Sequence, residues 1–128
     1  MVVDSSCFVA IVLEEAREAE FIATMIGARS LKISAVTLME TSIVLLSRDG
    51  KGRVDAFEAL LRRFKFEVVP VDAIQARIAV TAFGRYGKGI HKAGLNFGDC
   101  FSYALAKHLG EELLFQGNDF GLTDVGIA

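Results

Sequence analysis

Met1-Val2-Val3-Asp4-Ser5-Ser6 opens the chain, and how it is read decides the fold. A very short apolar run that ends in an acid and two serines reads as a buried strand passing straight into a helix N-cap. The same alternation continues outward. Cys7–Leu13 and Glu15–Ile26 read as helices, the second with Ala16, Ala19, Ile22, Ala23 and Ile26 on one face and Gly27 as its C-cap. Leu31–Ile33 is a brief strand, Ala35–Leu46 an apolar helix and Asp49–Gly52 a turn. Val54, Phe57, Leu60, Leu61 and Phe64 recur at helical spacing. Phe66–Val71 is a strand interrupted by Pro70, and Asp72 with Gln75 starts a helix to about Tyr86. Gly84–Gly94 reads as a loop, Gly98–Leu109 as a helix, Glu112–Phe115 as a strand, Gly117–Phe120 as a tight turn and Thr123–Val125 as an edge strand. Short, continuously apolar strands alternating with helices predict a parallel sheet covered on both faces. With no linker or repeat, residues 1–128 are expected to form one domain.

Composition supports this and removes other classes. A chain of 128 residues buries roughly two-thirds of its unfolded surface without needing a disulfide or structural metal. One proline, a mean hydropathy of +0.42 and 52% apolar residues exclude disorder. No uncharged apolar run is long enough for a membrane span, and Cys7–Leu13 lacks the basic flank of a signal peptide. Cys7 and Cys100 fit no metal spacing, so a reduced, cytoplasmic protein is expected. Gly84-x-x-Gly87-x-Gly89 follows a helix and is no dinucleotide fingerprint, and His91 and His108 stand alone.

Four acids fall just beyond strands or at helix starts: Asp4, Glu40, Asp99 and Asp119. In a parallel α/β sheet such positions gather at one edge, where these folds bind ligands. Each also has a local reading. Asp4 can cap a helix, Thr37-Leu38-Met39-Glu40 and Asn96-x-x-Asp99 have capping-box spacing, and Asp119 can cap a turn. Asp4, Glu40 and Asp99 sit among apolar neighbours with no adjacent Lys or Arg, and buried charge is costly unless paired or metal-bound. Hard oxygen donors without His or Cys favour Mg²⁺ or Mn²⁺, and the matching chemistry is metal-assisted phosphodiester hydrolysis. The net charge of −2 conceals an uneven distribution, since residues 48–65 hold six bases against three acids. Arg85, Lys88 and Lys92 are the first choice for backbone phosphate contacts and Arg48, Lys51 and Arg53 the second, a solvated face being the alternative.

These motifs carry a family resemblance. Met1–Ser6, Thr37–Glu40, Gly94–Lys107 and Leu114–Phe120 resemble, in order, the PIN-domain ribonucleases, and specifically VapC-type toxins of bacterial toxin–antitoxin pairs. The resemblance implies a three-layer α/β/α fold with a short, mostly parallel sheet and Mg²⁺-dependent endoribonuclease activity leaving 5′-phosphate and 3′-hydroxyl ends. It also implies a homodimer and a VapB-type antitoxin joined to the toxin in a hetero-oligomer. Asp4, Glu40 and Asp99 match the family's acids. Gly117 and Asn118 leave Asp119 as the only acid in the last turn, where some relatives carry two. The rival expectation is a catalytically silent PIN-like binding module whose acids only start helices.

Apolar residues plus glycine reach about 60%, against about 45–50% in ordinary soluble domains. The surplus predicts partner surfaces at Ile43–Leu46 and along Val54, Phe57, Leu61 and Phe64, one for a second copy and one for an antitoxin helix.

Overall fold

Every strand is only two or three residues long, so burial depends on each strand presenting alternate residues to opposite faces. In the computed structural model, which describes residues 1–128, β1 (Val2–Val3) sends Val2 into one core and Val3 into the other. β4 (Leu113–Leu114) divides Leu113 and Leu114 in the same way. With β2 (Lys32–Ser34) and β3 (Glu67–Val69) they form a four-stranded parallel sheet in the order β3-β2-β1-β4. The register places Val3 opposite Leu114 and Ser34 opposite Val69.

Helices cover both faces, giving the expected three layers. On one side lie α1 (Ser5–Val12), α2 (Glu18–Gly27), α3 (Ala35–Asp49) and α4 (Lys51–Arg63), packed around Phe8, Phe21, Met25, Ile33, Leu45 and Phe57. On the other lie α5 (Ala73–Tyr86) and α6 (Phe97–Leu109), packed around Ala82, Tyr86, Leu95, Tyr103 and Leu105. The side chains of Asp4, Ser34, Asp72 and Asn96 each accept from a backbone N–H in the first turn of their helix, satisfying donors that helix geometry leaves free. No helix is long and apolar enough to cross a membrane.

Several local expectations are corrected. The second helix starts at Glu18, because Glu14 turns the chain with a φ of +56°. Gly27 stays within that helix, and the extended Ala28 ends it. Gly84 is helical, so the loop begins only at Gly87. The final pairing on β4 is a single bridge from Leu113 to Ile127 rather than a strand at Thr123–Val125.

The apolar face of α4 is also not a surface. Phe57 and Leu61 are buried, because that helix closes the core over Phe8. On α3, Ile43 and Leu46 are exposed together with Met39, whereas Leu45 points inward. An unforeseen apolar groove of about 480 Å³ lies between α5 and α6, where Val80 and Phe97 are each 74% exposed.

Candidate active site

The carboxyl ends of β1, β2 and β4 lead into one cleft of about 410 Å³, and all four predicted acids line it. Asp4 leaves β1 at its floor and is only 2% exposed. Its Oδ2 accepts from the Ser6 amide at 3.0 Å and the Ser6 hydroxyl at 2.7 Å. Its Oδ1 accepts from the Ser102 hydroxyl at 2.6 Å, and Ser102 is in turn 3.1 Å from the Thr37 hydroxyl. α1, α3 and α6 are thus tied to one carboxylate, while Oδ1 keeps a lone pair for another partner. The Ser6 oxygen also accepts from the Gln116 amide at 2.9 Å, joining the ends of β1 and β4.

Glu40 projects from the second turn of α3. The capping-box reading of Thr37–Glu40 fails, since Ser34 caps this helix and Thr37 is buried inside it. The Glu40 carboxylate instead packs on the first turn of α6. A Cβ added to Gly98 would lie 1.6 Å from its Oε2, so only glycine admits it there. The Asn96–Asp99 capping box is present: Asp99 N–H donates to Asn96 Oδ1 at 2.8 Å and Asn96 N–H to Asp99 Oδ2 at 2.9 Å. This leaves Asp99 Oδ1 free of protein donors. Asp119 follows Gly117, whose φ of +105° turns the chain back over the cleft, and its side chain makes no cap.

Burial and mutual proximity disfavour the charged forms of two of these acids. Burial, reinforced by Asp4, Glu40 and Asp119, pushes the Asp99 carboxyl up to about 7 despite its bond from Asn96. Burial also raises Glu40, with Asp4 adding to it and the Ser5 hydroxyl opposing it. None of the molecule's ion pairs involves these four acids. The donor set is hard oxygen only, which fits Mg²⁺ or Mn²⁺. It is not a closed cage, as no three acidic, His or Cys side chains converge closely enough to hold an ion where they stand. Mutual repulsion and the capping bonds on Asp4 and Asp99 both favour this open arrangement.

The basic residues are arranged differently from the first expectation. Arg85, Lys88 and Lys92 do not line the cleft, and Arg85 stacks on Tyr86 and pairs with Asp124 at 3.9 Å. Lys51 pairs with Asp55, and Arg53 with Asp49 and the Val12 carbonyl. Arg48 does line the cleft. So do Glu15 and Gln116, hydrogen-bonded at 3.0 Å, which the sequence did not mark because they lie far apart along the chain. Cys7 and Cys100 are buried, and burial raises both thiols, so neither is a poised nucleophile.

A three-layer parallel α/β fold with an acidic cleft at its carboxyl edge is the architecture of a PIN domain. The PIN domain family model matches residues 1–126, and the chain belongs to this family. Its similarity runs to the VapC group. It is 46% identical over 126 residues to Ribonuclease VapC of Mycolicibacterium smegmatis, covering 98% of this chain and 97% of that protein. It is 41% identical over 125 residues to Ribonuclease VapC30 of Mycobacterium tuberculosis, covering 98% and 95%. Among solved structures, the fold matches M. tuberculosis VapC20, described as a sarcin–ricin loop cleaving toxin, with a TM-score of 0.81 at 21% identity, covering 99% and 97% of the two chains. A toxin–antitoxin complex from Klebsiella pneumoniae matches with a TM-score of 0.73 at 18% identity, covering 99% and 95%.

Proposed function

We propose that this protein is a Mg²⁺-dependent endoribonuclease, the toxin of a VapBC-type pair. The observation that carries the reading is the convergence of four carboxylates from four separate segments in one cleft with no cation paired to them. Asp4, Glu40, Asp99 and Asp119 are the residues that would hold Mg²⁺, or Mn²⁺ in its place. A divalent ion bound there would supply an activated water and neutralise charge gathering on the phosphate. The chain's own residues do the positioning. Ser6 and Ser102 fix Asp4, Asn96 fixes Asp99, and Gly98 leaves the space that Glu40 fills. Phosphodiester hydrolysis leaving 5′-phosphate and 3′-hydroxyl ends is the reaction proposed, with Lys88 and Lys92 available to phosphates outside the cleft.

A VapB-type antitoxin and a homodimer complete the reading, in a chain working in the cytoplasm as one PIN domain. The similarity to a toxin–antitoxin complex supports the first partner. Two exposed apolar faces, on α3 and between α5 and α6, give room for a second copy and an antitoxin helix. One observation favours a silent binding module: Asp4 caps α1, and Asp99 completes the capping box of α6. Total RNA incubated with the purified protein distinguishes the two. We expect cleavage in Mg²⁺, none after EDTA, and none by Asp4→Asn. Cleavage that survives EDTA or Asp4→Asn would refute the metal site, and absence of cleavage under every condition would favour the silent module.

A further inference from the structure

The carboxylate cleft must admit a polyanion, yet its lining contains one cation, Arg48. Glu40, Val44 and Arg48 stand at i, i+4 and i+8 on α3 and face the same cleft, so the helix forms one continuous wall. At 1.5 Å rise per residue, the backbone positions of Glu40 and Arg48 are about 12 Å apart, so the two residues stand at opposite ends of that wall. Arg48 is exposed and makes no ion pair, although five carboxylates line the same cleft. The neighbouring cations are engaged elsewhere, Lys51 with Asp55 on α4 and Arg53 with Asp49 at the end of α3. A free guanidinium at the end of an acidic wall matches a phosphate next to the one being cut, because its planar fork binds phosphate oxygens in pairs.

We propose that Arg48 holds a flanking phosphate of the RNA, so that the strand runs along α3 past Glu40 and Val44. This rests on the ribonuclease reading above and adds the path of the substrate.

The test uses the full chain and a short random-sequence single-stranded RNA, with affinity measured by fluorescence anisotropy in an Asp4→Asn background. Cleavage kinetics are measured in the otherwise unaltered protein. Arg48→Ala should weaken binding about tenfold or more, the loss of one charge-assisted contact. It should also lower the slope of log affinity against log salt by about 0.7. In cleavage, KM should carry the defect while kcat stays within about threefold. Arg48→Lys should keep the salt slope and recover part of the affinity, whereas Arg63→Ala, exposed and outside the cleft, should change nothing. The thermal midpoint of Arg48→Ala should match the parent's, since no ion pair is lost. If the parent cleaves RNA and Arg48→Ala keeps its KM and salt slope, the proposal is overturned while the ribonuclease reading stands. If the parent neither binds nor cleaves RNA in Mg²⁺, both fall.

Discussion

Replacing Asp99 by Asn should stabilise the protein, and the gain should depend on pH. The Asp99 carboxyl is raised from 3.8 to about 7, by burial first and then by Asp4, Glu40 and Asp119. Between these values the native state binds more protons than the unfolded chain, so the contribution of this group to stability is greatest at and below about pH 4 and falls as pH rises towards 7. The full shift would correspond to about 4 kcal/mol. Because the side chain is partly open to water, screening lowers this to roughly 1–2 kcal/mol. Asn keeps an oxygen to accept from the Asn96 amide, so the capping box survives. For 128 residues, 1 kcal/mol corresponds to a shift in Tm of about 4 °C. Calorimetry of Asp99→Asn should therefore show a rise of about 4–8 °C near pH 8 that disappears near pH 4. Millimolar Mg²⁺ should shrink the gain by stabilising the parent alone. A gain independent of pH, or a loss at pH 8, would refute the argument from clustered charge.

Gly98→Ala places a methyl group where the Glu40 carboxylate lies, 1.6 Å from Oε2. Cleavage should drop about 100-fold while circular dichroism stays native, since displacement of a catalytic group by about 1 Å is enough for such a loss. Glu111→Gln should weaken a partly buried clamp in which Glu111 binds Lys32 and the N-terminal ammonium. Burial raises the Glu111 carboxyl, but those two cations outweigh it and hold it below its ordinary value. Its stabilisation should therefore be present above about pH 4.3 and lost as pH falls further, with a cost near neutrality of about 1 kcal/mol or less by denaturant titration. Light scattering on the protein without antitoxin should give twice the 13.9 kDa chain mass across a wide concentration range. A soluble 13.9 kDa species throughout would reject the dimer.

Much of the fold was legible in the sequence because local chemistry and tertiary structure agree. Val2-Val3-Asp4-Ser5 reads as strand then cap, and it is both. The helix over Val54–Phe64, the N-cap at Asp72 and the capping box at Asn96 depend on residues three or four apart, a range that the sequence displays directly. Asp4, Glu40, Asp99 and Asp119 were legible as candidates because strand ends in a parallel sheet gather at one edge.

Contacts between distant segments were not legible. Thr37 looked like half of a capping box, but Ser102, 65 residues away, draws it into the interior and frees Glu40 for the cleft. Gln116 meets Ser6 across 110 positions and Glu15 across 101, a juxtaposition set by β4 pairing with β1. The basic loop looked suited to phosphate, but Asp124 engages Arg85, and the cleft holds Arg48 instead. The apolar faces make the same division clear. Periodicity shows that α4 carries an apolar face, because spacing within a helix is local. It cannot show that Phe57 is covered while Val80 is bare, because covering is decided by which helix packs on which face of the sheet.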